Sequence, residues 1–305
     1  MSSSASTANI PPWNKVYHLQ DLEDWTFEGP SLAVLGHPIA HSLSPTIHNA
    51  ALRQMGPTCS AWRYFAFDVP VEHLGESLAL FHRHNFQGLN LTIPHKVEAL
   101  RLATGIDPVA CRMGAVNTLV RQEHGYYGRN TDGYGIQNAL REDLDAELPG
   151  TDVVLLGAGG AARATVVQCL EAGCRKVWVG NRSADRLAEL VQALGGENPQ
   201  VETFPLSAPP QQLPPSTLLI NATSLGLRTD DPAPADLSTF PPDLRVYDMI
   251  YNPPETALLA QARRLGMPAA NGLSMLVHQA AKSLSYWTQA EVPAHAMFAA
   301  LEHPR

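Results

Sequence analysis

Apolar residues along this chain fall into two rhythms that alternate over most of its length. Short apolar runs at 32–35, 153–156 and 218–220 predict buried strands, and 244–249 reads as a further strand. Residues 63–69 alternate as a half-buried strand, and 88–91, 176–180 and 267–270 complete the set of short extended segments. Between them the spacing shifts to three and four. Leu74, Leu78 and Phe81 line one face of a helix over 71–84, and Ile136, Leu140 and Leu144 line one over 132–148. Leu187, Leu190, Val191 and Leu194 do the same over 184–195. Further helices are predicted over 255–265 and from Leu273 to about Gln289. Strands alternating with helices predict an α/β fold, and the second half reads as a doubly wound parallel sheet.

Local stop and start signals refine the pattern. Ser44 as N-cap and Pro45 at the first helical position begin a helix that Gly56 ends, with Ile47, Ala50, Ala51 and Met55 inward. The loop before it is longer than most strand-to-helix loops and exposes the hydroxyls of Ser42 and Ser44. Capping alone explains Ser44, so a ligand contact there stays open. Pro94 marks another helix start. Residues 114–120 read as a strand with Asn117 inside it, and 126–132 as a further strand. Pro149 and Gly150 separate the helix after Asp132 from the next strand. Residues 207–215 and 230–242 are Pro-rich surface connections. Residues 1–29 read as a disordered tip followed by a packed segment, with Trp13, Tyr17, Leu19, Leu22, Trp25 and Phe27 as anchors.

Composition narrows the classes. The chain has 305 residues, 45% of them hydrophobic and 16% charged, enough for two globular domains with real cores. A net charge of −8 argues against nucleic-acid or anionic-membrane partners. No apolar run reaches the ~18 residues of a membrane span, and the first residues do not read as a secretory signal. Cys59, Cys111, Cys169 and Cys174 have neither metal-ligand nor disulfide-framework spacing, so reduced thiols in the cytoplasm are expected. His37, His41 and His48 lie close in sequence without a carboxylate to complete a metal site, and no metal is expected.

The candidate chemistry centres on the turn after residue 156. Gly157, Gly159 and Ala162 form G-x-G-x-x-A between a buried strand and an Ala-rich helix, the pattern of a dinucleotide-binding turn. The free N–H groups at such a helix start face the pyrophosphate. Some 24 residues beyond Gly157, an NAD site would carry an acid for the ribose; here stand Asn181, Arg182 and Ser183, with Arg186 one turn on. A guanidinium chelates a 2′-phosphate that a carboxylate would repel, so NADP is predicted. Lys96 falls in the first turn of a helix, where a cation opposes the helix dipole. It either swings into solvent or serves a site at the strand's C-terminal end, flanked by Asn90 and Thr92. Asn117, if buried, is structural glue or a ligand contact. Asp132 is a helix cap or a functional acid.

In order and spacing, these motifs resemble the shikimate dehydrogenase family. The match runs from about residue 32 to 289. It takes in Gly36-His-Pro-Ile-Ala-His-Ser-Leu-Ser-Pro-Thr-Ile-His-Asn49, Gly88-Leu-Asn-Leu-Thr-Ile-Pro-His-Lys96 and Gly114-Ala-Val-Asn-Thr118. It continues through Asn130-Thr-Asp-Gly-Tyr-Gly135, Gly157-Ala-Gly-Gly-Ala-Ala-Arg-Ala164, Asn181-Arg-Ser183 and Asn221-Ala-Thr-Ser-Leu-Gly226. Tyr251-x-Pro-x-x-Thr256 and Asn271-Gly-Leu-Ser-Met-Leu-Val-His-Gln279 close it. The resemblance implies an N-terminal α/β substrate domain with a mostly parallel sheet (30–133 plus 272–305) and a Rossmann NADP domain (134–271). The last helix returns to the first domain, and 1–29 form an extension.

It further implies reversible NADPH-dependent reduction of 3-dehydroshikimate to shikimate, with a small-molecule substrate and a monomer or homodimer. By analogy Lys96 and Asp132 are the catalytic pair. Ser42 and Ser44 bind the substrate carboxylate, and Asn90, Thr92, Asn117 and Gln279 its hydroxyls. Tyr251 lies near substrate and nicotinamide. The cofactor set is Gly157, Ala158, Gly159, Gly160, Ala161, Asn181, Arg182, Ser183, Arg186, Ala222, Thr223, Ser224, Ile250 and Gly272. Ser183 replaces a usual Thr and Leu227 a usual Met. Rival readings are a quinate or mixed-specificity dehydrogenase, a methylene-tetrahydrofolate dehydrogenase, and a non-catalytic NADP sensor.

Overall fold

The computed structural model describes residues 11–210 and 212–302, so the disorder expected at the very N-terminal tip lies outside the described residues. The chain runs β1 (Val16–His18), α1 (Leu19–Glu23), β2 (Ser31–Gly36), α2 (Ser44–Gln54), β3 (Arg63–Asp68) and α3 (Leu74–Arg83). Next come β4 (Phe86–Leu91), α4 (His95–Leu102), β5 (Gly105–Ile106), α5 (Pro108–Met113), β6 (Thr118–Gln122) and β7 (Gly125–Arg129). It continues with α6 (Asp132–Leu144), β8 (Asp152–Leu156), α7 (Gly160–Glu171), β9 (Lys176–Asn181), α8 (Ala184–Ala193) and β10 (Val201–Pro205). It ends with β11 (Leu218–Asn221), β12 (Arg245–Asp248), α9 (Ala257–Arg264), β13 (Ala269–Asn271), α10 (Leu273–Thr288) and α11 (Ala294–Glu302). Packing divides it into two compact units. One holds the residues up to Asp107, Val116–Asn130 and those from Ala280 on; the other holds Pro108–Ala115 and Thr131–Gln279.

The first unit is built on a seven-stranded mixed sheet in the order β1-β3-β2-β4-β6-β7-β5. Its β1, β2, β3 and β4 run parallel, while β6 pairs antiparallel with both β4 and β7. The segment before residue 30 contributes to it directly. β1 extends the edge of β3, and Tyr17 and Trp25 enter an edge-to-face aromatic cluster with Phe65, Phe67 and Phe86. Trp287 of α10 is buried and donates from its indole N–H to the Leu119 carbonyl. It lies where a side chain on Gly88 would collide with it, so only glycine fits β4 at that point.

The second unit is a six-stranded, wholly parallel sheet in the order β10-β9-β8-β11-β12-β13. Counted from β8, that is 3-2-1-4-5-6, the Rossmann arrangement, and the order reverses between β8 and β11. Val153, Leu155, Val177, Val179 and Ile220 face the helices α6 and α7 on one side of the sheet. Val154, Leu156, Trp178, Leu219 and Val246 face α9 on the other. Residues 108–115 belong here because α5 packs on α7: Met113 meets Ala164 and Val167, and Arg112 pairs with Glu171.

Several boundaries differ from the sequence reading. Ser44 is the first residue of α2 rather than its N-cap; Leu43 holds that place, and the Ser42 hydroxyl accepts from the Ser44 N–H. Pro94 precedes α4 instead of opening it, and Thr131 rather than Asp132 is the N-cap of α6. The strand expected at 114–120 begins only at Thr118, and residues 71–73 form a 3-10 turn before α3. Helix α6 stops at Leu144 because Asp145 adopts a left-handed conformation, φ 47°.

Candidate active site

In the first unit, the C-terminal ends of β2 and β4 and the start of α2 carry most of the predicted substrate residues. Ser44 and Asn90 are buried and Ser42 is half-buried. A hydrogen-bonded network joins them. The Tyr64 phenol donates to Asn90 Oδ1 at 2.7 Å, and its ring stacks on His48, whose Nδ1 bonds the Ser44 carbonyl at 2.9 Å. Asn90 Nδ2 donates to the Asn117 carbonyl (3.1 Å), Thr118 Oγ1 (3.2 Å) and Ser283 Oγ (3.1 Å). Thr118 in turn donates to Asn117 Oδ1 at 2.8 Å. Every member lies in the protein interior, where an unpartnered polar atom costs ~1–3 kcal/mol, so the network locks its own geometry.

Lys96 is half-buried on the first turn of α4 and belongs to the same unit. Its main chain is held by the N–H of Val116 at 2.8 Å, and that of Asn117 by the Arg129 carbonyl at 3.1 Å. Thr92 accepts from the His95 N–H and donates from its own N–H to Leu35 O. Its methyl group fills the space beside Gly36. His95, fully buried, has its imidazole pKa lowered by burial, so the ring beside Lys96 is neutral at pH 7. His37 bonds Asp68, whose other oxygen accepts the Ile39 N–H, and this pins the loop toward Ser42. Of the three clustered histidines, His48 is wholly buried. Among the described residues no three His, Cys, Asp or Glu side chains converge on a point that could hold a metal ion.

In the second unit, the glycine turn sits at the strand-order reversal. Gly157 has φ +114° and its own N–H bonds Gly180 O, while Ala222 N–H reaches back to Leu156 O. A Cβ on Gly157 would press on the Ala222 carbonyl, whereas Gly159 and Gly160 have open space around theirs. Helix α7 starts at Gly160 without a side-chain cap, so its first-turn N–H groups point from an uncapped positive dipole end. Those features fit a pyrophosphate. At the end of β9, Asn181 donates to Ser183 O and Ser183 caps α8 through the Arg186 N–H. Arg182 and Arg186 are exposed, and no ion pair engages either among the described residues, as a 2′-phosphate site requires.

One residue absent from the sequence reading organises the loops facing that turn. Asp248 is completely buried at the end of β12. Its carboxylate accepts from Asn221 Nδ2 (2.9 Å), the Ile250 N–H (3.1 Å) and the Thr256 hydroxyl (2.6 Å). Burial raises its pKa while these donors pull the other way. Asn221 Oδ1 accepts in turn from the N–H and hydroxyl of Thr223. One carboxylate therefore shapes both 221–226, with Ala222, Thr223 and exposed Ser224, and 248–252, with Ile250 and Tyr251. Burial raises the Tyr251 pKa. Gly272 donates to Ile250 O at 3.2 Å, and a side chain there would run into the Met249 carbonyl.

Asp132 and Gln279 both lie in this unit, close together. Gln279 donates to Leu276 O, and its Oε1 lies 3.5 Å from the Thr131 hydroxyl. Gly135 lets α6 approach the Gln279 side chain, since a Cβ there would stand 2.9 Å from that of Gln279. Lys96 sits in one unit and Asp132 in the other. Tyr64, Thr118, Ser283 and Asp248 escaped the sequence reading. Asp248 alone left a signal, an acid closing an otherwise apolar strand.

Residues 34–119 match the family model described as shikimate dehydrogenase substrate binding domain, and 139–226 the one described as shikimate / quinate 5-dehydrogenase. Residues 272–302 match the shikimate 5′-dehydrogenase C-terminal domain. A shikimate dehydrogenase (NADP(+)) of Methylobacterium radiotolerans is 45% identical over 263 residues, 85% of this chain and 91% of the relative. That of Moorella thermoacetica is 40% identical over 272 residues, 87% of this chain and 90% of its own. The crystal structure of shikimate 5-dehydrogenase from Thermus thermophilus, in complex with NADP(H) and shikimate, is 37% identical. It covers 90% of this chain and 98% of its own, with a TM-score of 0.77.

Proposed function

Since this chain belongs to the shikimate dehydrogenase family, we propose that it catalyses the reversible NADPH-dependent reduction of 3-dehydroshikimate to shikimate, in aromatic amino-acid biosynthesis. In this reading the first unit receives the substrate and the second the dinucleotide. NADPH, when bound, supplies the hydride. The observation that carries the cofactor assignment is the uncapped start of α7 beside an acid-free β9 end bearing Arg182 and Arg186. Gly157, Ala158, Gly159, Gly160 and Ala161 would hold the pyrophosphate, and Asn181, Arg182, Ser183 and Arg186 the 2′-phosphate. Ala222, Thr223, Ser224, Ile250 and Gly272 would serve the nicotinamide end.

The residues of the chain then divide the remaining work. Ser42 and Ser44 hold the substrate carboxylate, and Asn90, Thr92, Asn117, Tyr251 and Gln279 its hydroxyls. Negative charge grows on the carbonyl oxygen as it is reduced. The Lys96 ammonium stabilises that charge and delivers the proton, while Asp132 orients the ammonium and accepts from a neighbouring hydroxyl. Acid–base help of this kind is worth roughly 10²–10⁴ in rate. The cytoplasm is the compartment this activity implies, with a monomer or homodimer as the assembly.

The test is to follow NADPH formation with shikimate and NADP+, then with quinate, and to repeat both with NAD+. Turnover of shikimate with NADP+ is expected. Quinate preferred over shikimate, or NAD+ over NADP+, would refute the assignment.

A further inference from the structure

Tyr64 lies at the centre of the first unit's polar network and has no role in the activity described above. Its ring is fully buried and stacks on His48, with centroids 3.9 Å apart and planes 10° apart. Its oxygen donates its one proton to Asn90 Oδ1 on β4 at 2.7 Å.

The Asn117 carbonyl, which can only accept, sets which side of the Asn90 carboxamide carries Nδ2, with Thr118 Oγ1 and Ser283 Oγ beside it, and the Tyr64 proton then holds Oδ1. His48 completes the arrangement from the other side. Its Nδ1 bonds the Ser44 carbonyl at 2.9 Å, holding the main chain that carries the Ser44 hydroxyl.

We propose that Tyr64 is a positioning residue that couples the start of α2, which carries Ser44 and is held by the stacked His48, to the hydroxyl-binding amide of Asn90, so that both meet shikimate preset. The inference rests on the substrate reading above. Tyr64→Phe keeps the stacked ring and its volume but removes the phenol oxygen. Asn90 Oδ1 then loses its donor, and the tie between the amide and the α2 side is broken.

The experiment compares steady-state constants of wild type and Tyr64→Phe for both substrates. KM for shikimate is expected to rise at least about tenfold, with kcat and KM for NADP+ each within about threefold of wild type. Equal changes in both KM values would show a merely structural role, and an unchanged shikimate KM would remove the coupling. Ser283→Ala leaves two of the three Nδ2 acceptors and should raise the same KM by less. A second readout needs no turnover: the Asn90 side-chain amide protons give a slowly exchanging NMR pair in ligand-free wild type, lost in Tyr64→Phe. Persistence of that pair overturns the inference even if shikimate proves not to be a substrate, whereas failure of wild type to oxidise shikimate counts against the functional reading alone.

Discussion

The burial of His48 predicts how the first unit responds to acid. The ring is packed against Tyr64 and Trp287 with no exposed surface, and burial pushes its pKa from 6.5 down to about 4. The carbonyls of Ser44 and Ala280 favour the protonated ring, but their effect is smaller. In the unfolded chain the same imidazole takes a proton near its ordinary pKa, so between pH ~6.5 and ~4 the unfolded state binds more protons. Stability due to this residue is therefore complete above pH ~6.5 and is lost as pH falls toward ~4. The loss approaches about 2.5 pKa units at about 1.36 kcal/mol each, about 3 kcal/mol.

His48→Phe preserves the stack and has nothing to titrate. It gives up the bond to Ser44 O, about 1 kcal/mol at neutral pH. Urea unfolding of both proteins between about pH 7.5 and about pH 4.5, read by the fluorescence of Trp25 and Trp287, isolates this residue, since other histidines and carboxylates cancel in the difference. Wild type should be the more stable at neutral pH and the less stable at the acid end of that range, the two curves crossing between. Curves that stay parallel across the range would refute the burial argument.

Three further outcomes test other parts of the molecule. Lys96→Ala should cut turnover at least about a hundredfold while NADPH still binds, as measured by cofactor fluorescence; near-wild-type turnover would dismiss Lys96 as the proton donor. Arg182→Ala should weaken NADP+ about tenfold and leave NAD+ unchanged, since only the former has a 2′-phosphate; an unaltered ratio of the two KM values would count against that contact. Gly135→Ala would push a methyl to 2.8 Å from the Met275 carbonyl and 2.9 Å from Gln279 Cβ, a clash worth roughly 1–3 kcal/mol. It should lower kcat/KM for shikimate with NADPH affinity retained, and normal kinetics would argue against a role for Gln279 at the substrate.

The second unit was legible because its signals are local. Buried parallel strands are continuous apolar runs, and the glycine turn, Asn181 and Arg182 sit at fixed offsets from one another. Its edge strand β10 was not, since Val-Glu-Thr-Phe-Pro exposes four of its five residues at least partly and lies in Pro-rich surroundings. Short elements such as β1 and α5 lack enough turns or alternations to declare a period. In the first unit, Asn117 stands out as an amide in an apolar run, and Asn90 as a hydrogen-bonding group beside Lys96 at the end of a strand. The alternation over 63–69 sets Phe65, Phe67 and Val69 on one face and Tyr64 on the other, and only the structure shows that both are buried and what the Tyr64 oxygen meets. Its partner Asn90 is 26 positions away, and Ser283 lies 193 positions beyond Asn90. Such a network exists only once distant segments have met.

That separation bears on how the protein is made. The first unit opens the chain, yet it takes Ser283 and Trp287 from near the chain's end to occupy the space beside Gly88 and satisfy Asn90. While the ribosome is still working, β4 faces an empty slot and an unanswered amide. Units generally fold in order of synthesis, but here the earlier one waits and the later one matures first. Nascent chains stalled before residue 280 would therefore carry a finished cofactor unit behind an unfinished sheet, and chaperones should hold them longest at the N-terminal half.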